Sequence, residues 1–176
     1  MITQSRRNFL TRTALLGPAV LLTPVLTQAG NLGKSLAADP LNPELVKEFV
    51  RVAHSDIPRT QQILEENPHI LNATVDWGDG DFETAIGAAG HMGHRDLALH
   101  LLEKGARADI FVHTMLGDIA LVKSTLEKYP YLLSSLGPHG FTLLHHAIKG
   151  GEHALELVDF LKAKGAVDTH VKIYKK

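Results

Sequence analysis

Downstream of Asn42 the apolar positions recur at helical spacing, and the same phrases return along the chain. In Asp96-Leu97-Ala98-Leu99-His100-Leu101-Leu102, the residues Leu97, Leu101 and Leu102 fall one turn apart on one helical face. Leu64, Glu65, Pro68 and Leu71 are answered 62 residues later by Leu126, Glu127, Pro130 and Leu133. Ala53-His54-Ser55-Asp56-Ile57 is answered at the same distance by Met115-Leu116-Gly117-Asp118-Ile119. A second phrase, Thr84-Ala85-Ile86 with Ala89 and Gly93, returns as Thr142-Leu143-Leu144 with Ala147 and Gly151. Leu101-Leu102-Glu103-Lys104-Gly105-Ala106 returns as Phe160 to Ala166 with one inserted residue.

These patterns predict short helices in pairs. Thr84 and Thr142 are placed to cap the helices that follow them. Gly105 and Gly165 suit the left-handed residue just past a helix end, and Pro68 and Pro130 block continuation. Each pair is too short to bury its own apolar face, so neighbouring pairs must stack. Loops or hairpins are expected to project between the pairs.

Several phrases resemble the ankyrin repeat. Phe141-Thr142-Leu143-Leu144-His145-His146-Ala147 is similar to its Thr-Pro-Leu-His-x-Ala opening, with Leu143 where proline is usual. Gly93-His94-Arg95-Asp96-Leu97 through Gly105-Ala106 resembles the second helix and closing Gly-Ala, and Gly117-Asp118-Ile119-Ala120-Leu121-Val122 resembles a bacterial variant with a proline exit. The resemblance implies an all-α solenoid of about four stacked helix-turn-helix units, at 43–74, 75–109, 110–137 and 138–170, before a polar tail at 171–176. It also implies that His94 and His145 are structural, each bonding backbone in a neighbouring turn.

The N-terminus follows another rule. Arg6, Arg7 and Arg12 are the only charged residues among the first thirty-three, and a thirteen-residue apolar stretch from Ala14 to Leu26 follows them. A basic head, a short apolar run and small residues at Thr27 and Ala29 describe a secretory signal. The apolar stretch falls short of the ~20 residues a spanning helix needs, so no stable membrane span is expected once the signal is cleaved. Ser5-Arg6-Arg7-Asn8-Phe9-Leu10 resembles the twin-arginine export motif, carried by Arg6, Arg7, Phe9 and Leu10. That resemblance implies a bacterial or archaeal chain that folds before export, uses the twin-arginine translocase, and is periplasmic or secreted. Cleavage follows Ala29 or, alternatively, Ala37, with residues 30–42 as a linker.

Composition narrows the chemistry. The 176 residues contain no cysteine, which excludes disulfides, thiolate metal sites and cysteine nucleophiles. Net charge is -1, and loss of the signal leaves 15 basic against 19 acidic residues, so no basic field points to nucleic acid. No phosphate loop, nucleophile elbow or dinucleotide fingerprint is present, and no catalytic residue or cofactor is expected.

Eleven histidines and one acidic loop remain. His91 lies near His94, and His145 is adjacent to His146, yet neither spacing places two rings together on one helix face. They are read as structural, with no metal ligands assigned. Asp76-Trp77-Gly78-Asp79-Gly80-Asp81-Phe82-Glu83 lacks the glycine and distal glutamate of a calcium loop and reads as a turn-rich hairpin tip. Resemblance to ankyrin proteins implies that partners meet such tips. Asp76, Trp77, Asp79, Asp81, Phe82 and Glu83 are therefore the expected contact residues for a protein partner, of basic character; alternatively Trp77 folds back as a local cap. The leading expectation is an exported, non-enzymatic module for protein–protein interaction. The alternative is a periplasmic metal or small-ligand binder that uses its histidines.

Overall fold

The structure is a computed structural model and describes residues 39–173. The export motif at Arg6, Arg7, Phe9 and Leu10, both cleavage positions and the last three residues of the polar tail lie outside them. The described residues are mostly helical, with eight α-helices and one small hairpin. In order these are α1 (Pro43–Val52), α2 (Ile57–Glu66), β1 (Thr74–Asp76), β2 (Phe82–Thr84), α3 (Ala85–Met92), α4 (Arg95–Glu103), α5 (Ile110–Leu116), α6 (Ile119–Lys128), α7 (Leu143–Lys149) and α8 (Leu155–Ala163). No helix among the described residues is long and apolar enough to cross a membrane.

Short polar side chains set where the helices begin. Thr84 Oγ1 accepts from the Gly87 amide at the start of α3, and Thr142 Oγ1 accepts from the His145 amide at the start of α7. Asn42, Asp56 and Asp109 do the same for α1, α2 and α5. Each such cap supplies about 1 kcal/mol by satisfying an otherwise unpaired backbone donor. Gly93 ends α3 with φ 80°, and a Cβ there would lie 2.7 Å from the Lys149 carbonyl oxygen. Both the left-handed backbone and the close approach demand glycine.

Helices α1, α3, α5 and α7 pack in succession, while α2, α4, α6 and α8 each pair with the helix before them. Helix α3 also reaches α7, so it is covered on several sides. Its composition, Ala85-Ile86-Gly87-Ala88-Ala89-Gly90-His91, makes that possible, since small residues let neighbouring backbones approach. A Cβ on Gly90 would stand 3.2 Å from Val112 Cγ2 of α5. Two apolar clusters make up the core. One gathers Phe49, Ile63, Ile86, Leu97 and Leu101 about α1 to α4, and the other gathers Val122, Leu143, Leu144, Leu157 and Leu161 about α6 to α8. Leu102 is only partly buried, packed against the first cluster.

Two fingers link successive helix pairs, the first leading into α3 and the second into α7. The first is the hairpin β1–β2, antiparallel with Val75 opposite Glu83 and Asp76 opposite Phe82. The second is the turn from Leu136 to Thr142, which contains Pro138, His139 and Gly140. The chain near its C-terminus holds this turn. The Thr142 amide donates to the Thr169 carbonyl at 3.1 Å, and the Val171 amide donates to the Gly140 carbonyl at 2.9 Å.

Candidate metal centre

Strand pairing decides which hairpin side chains face inward. Successive strand residues point to opposite faces, so Glu83 and its partner Val75 turn toward α1 and α3 while Phe82 turns away. The apolar residue is thus left 62% exposed and the carboxylate is 1% exposed. That inverts the usual preference, since a buried glutamate requires partners to offset its desolvation.

The partners are three histidines. His54 follows the end of α1, His91 lies near the end of α3, and His139 sits in the second finger with φ 59°, a left-handed backbone that is rare outside glycine. Glu83 Oε1 lies 2.8 Å from His91 Nε2, and Glu83 Oε2 lies 3.3 Å from both His54 Nε2 and His139 Nε2. His54 Nε2 and His91 Nε2 are 3.2 Å apart. One ligand atom from each of the four residues can be chosen so that all lie within 4.8 Å of one another. Trp77 Nε1 donates to Glu83 Oε2 at 2.7 Å, which fixes the carboxylate plane.

The far side of two rings fixes their neutral tautomer. His54 Nδ1 lies 3.0 Å from the Val50 carbonyl oxygen, an acceptor only, so Nδ1 carries the proton. His139 Nδ1 lies 2.7 Å from Asp81 Oδ2, and the His139 amide also donates to Asp81 Oδ1 at 2.8 Å. In their neutral forms both rings therefore turn an Nε2 lone pair toward Glu83. Lone pairs and a carboxylate repel unless a positive charge lies among them. That charge is a proton on an imidazole or a cation held by all four groups.

Electrostatics around Glu83 are strong. Burial alone would raise its pKa, but hydrogen bonds from His54 and His91 and their charges overcome it and hold the carboxyl at about 2. The hydrogen bond to Glu83 raises His54 above its ordinary value, against the opposing effect of burial.

A second layer steadies the first. His94 Nε2 donates to the His54 carbonyl at 2.8 Å, and His145 Nε2 donates to the His91 carbonyl at the same distance. Both ring bonds tie one helix pair to backbone of another, and each lands on a residue of the cluster. His91 packs flat against Phe141, with ring centroids 5.0 Å apart, and its Nδ1 has no hydrogen-bond partner among the described residues.

The hairpin residues expected to meet a partner divide between two environments. Asp76 and Asp79 are exposed with Phe82, and Asp76 Oδ1 accepts from the Gly78 and Gly80 amides to close the turn. Asp81 and Glu83 are buried, Glu83 within the cluster and Asp81 behind His139, and Trp77 is half-buried beside it. Sequence reasoning did not group His54, Glu83, His91 and His139, because they lie on different elements and share no local spacing. No protein-family model matches the chain, and no curated protein is found to be similar to it.

Proposed function

We propose that this is an exported ankyrin-type repeat protein whose function is to bind a divalent first-row transition-metal ion at His54, Glu83, His91 and His139. One observation carries the reading: His54 and His139, held from behind through Nδ1 by the Val50 carbonyl and Asp81, both aim Nε2 at a buried carboxylate. Donors on a tetrahedral zinc ion at 2.0–2.1 Å stand about 3.3–3.4 Å apart. Three of the six donor–donor separations, 3.2 Å between His54 and His91 and 3.3 Å from Glu83 Oε2 to His54 and His139, match those edges, and all four donors lie within 4.8 Å of one another. Imidazole and carboxylate donors suit zinc, copper(II), nickel or iron(II), and the absence of cysteine argues against copper(I) or an iron–sulfur cluster.

The ankyrin part of the reading is supported by the paired helices, the threonine caps of α3 and α7, and the bonds from His94 and His145 to backbone. Export rests on the sequence motif alone.

The test uses the tryptophan that the site provides. Trp77 is the only one in the chain, and its ring centroid lies 6.4 Å from that of His54 and 6.2 Å from that of His139. Full-length protein stripped with a chelator should bind one equivalent of cobalt(II) or copper(II), with quenching of this fluorescence. Failure to bind against a weak competing chelator, or binding that survives His91→Ala, would overturn the proposal.

A second reading, recognition of a protein partner, is favoured by Phe82, a large apolar side chain exposed at the hairpin beside Asp76 and Asp79. A partner captured by the wild type and lost with Phe82→Ser at unchanged Tm would support it.

A further inference from the structure

The four groups are not equally enclosed. The side chains of Glu83 and His91 are 0% and 4% exposed, whereas those of His54 and His139 are 24% and 28% exposed. The cluster thus has a closed floor and an open edge, and His54 and His139 form that edge. The Trp77 indole stands beside it, nearly equidistant from the two rings.

We propose that the loaded centre adds a fifth, exchangeable ligand to its four protein donors at the His54–His139 edge, where it takes water or a small anion, and that Trp77 keeps that position free. The proposal rests on the metal-binding reading above and adds to it the class of ligand. Four protein donors complete a tetrahedral set, so an outside ligand enters by expansion to five-coordination, and the edge formed by His54 and His139 is the side open to it. The surrounding core also speaks against a purely structural ion. Two apolar clusters and five side-chain-capped helices are present without contribution from the four groups, so the ion is not the source of the core.

Trp77 acts through Glu83. Its Nε1–H occupies a lone pair of Oε2, the oxygen that stands 3.3 Å from both His54 Nε2 and His139 Nε2. A carboxylate restrained in this way binds an ion through one oxygen and cannot swing to chelate it with both. Without that bond, the second oxygen competes for the position that an outside ligand would take. Trp77 is therefore a positioning residue for the open edge.

Cobalt(II) makes the position visible, because its d–d bands report coordination number. Cobalt-loaded full-length protein should change its visible spectrum on titration with azide, saturably and at one site. Trp77→Phe should still bind cobalt, and its azide affinity should fall by about tenfold, the scale on which outer-shell contacts tune metal sites. A cobalt-bound wild type whose bands ignore azide overturns the open position and leaves the metal-binding reading standing. A Trp77→Phe protein that binds azide as tightly as the wild type overturns the role of Trp77. Circular dichroism of the variant, unchanged from the wild type, would show that it has folded.

Discussion

Asp81 and His139 stand at equivalent places in the two fingers, each three residues ahead of the threonine that caps the next helix, and they are bonded to one another. Asp81 Oδ2 accepts from His139 Nδ1 at 2.7 Å, and Asp81 Oδ1 accepts from the His139 amide at 2.8 Å. The contact joins positions 58 residues apart and sets the direction in which His139 Nε2 points. In metal sites a carboxylate behind a histidine fixes the ring tautomer and strengthens the ligand. Asp81→Asn should therefore weaken zinc affinity by about tenfold or more while circular dichroism stays unchanged. Zinc binding as tight as in the wild type would remove Asp81 from the site.

Metal binding should also be legible as stability. A ligand bound only by the folded state adds about 2.7 kcal/mol at a hundredfold excess over Kd. For a domain of this size that is a rise in Tm of roughly 8 °C. Glu83→Gln can keep the bond from Trp77 but removes the charge that gathers the histidines, so its Tm should not respond to zinc. The hydrogen bond that raises His54 also makes protons compete with the ion. Zinc affinity should accordingly fall as pH drops through the histidine range, with proton release on binding. A calorimetric titration repeated in buffers of different ionisation enthalpy measures that release.

His146 supplies a pH dependence of another kind. Burial holds its pKa down at about 4, despite the bond from its Nδ1–H to the Thr142 carbonyl. In the unfolded chain the ring titrates near its ordinary value of 6.5. Between those values the unfolded chain takes up a proton that the folded chain refuses, so stability falls as pH drops through this window. The full span is worth about 3 kcal/mol. His54, with a raised pKa, acts in the opposite sense: its stabilisation is present below 6.5 and fades as pH rises through the folded value. Urea denaturation of the wild type and of His146→Leu across this range isolates the first effect, and the variant should show the shallower loss in acid.

Leu101 and Leu161 are 1% and 0% exposed and lie in different apolar clusters. Truncating either to Ala should cost about 2–5 kcal/mol. Leu102, only partly buried, should cost less. Equal losses at Leu101 and Leu102 by denaturant unfolding would contradict the packing described.

Export can be tested apart from the fold. With Arg6 and Arg7 both changed to lysine, the chain should remain in the cytoplasm with its N-terminal segment attached. Continued release of a mature form beginning near Gly30 would defeat the twin-arginine expectation.

Much of the helical frame can be read from the sequence because its signals are local. Thr84 and Thr142 cap helices through their hydroxyls, Gly105 and Gly165 adopt positive φ because they lack a Cβ, and Pro68 and Pro130 open short turns after α2 and α6. The bonds made by His94 and His145 follow the expectation drawn from the repeat resemblance. The cluster was not legible, since its four members meet only after two helix pairs and both fingers are in place. The hairpin also conceals it. Phe82 and Glu83 are adjacent, and hydrophobicity assigns them to the wrong sides of the strand. Only the register opposite Asp76 and Val75 shows which of the two faces inward.

His54 and His139 are separated by 85 residues of chain, and the turn that carries His139 is secured by backbone near Val171. An array of stacked helix pairs ordinarily loosens from its ends, one pair at a time. An ion shared by His54, Glu83, His91 and His139 would fasten the first pair to the turn before the last, as a clasp closes a necklace. Peeling away α7 and α8 would then strip support from the ion-bound turn that carries His139, not only break apolar contacts. Loading with metal would thereby convert a chain that frays stepwise into one that opens all at once.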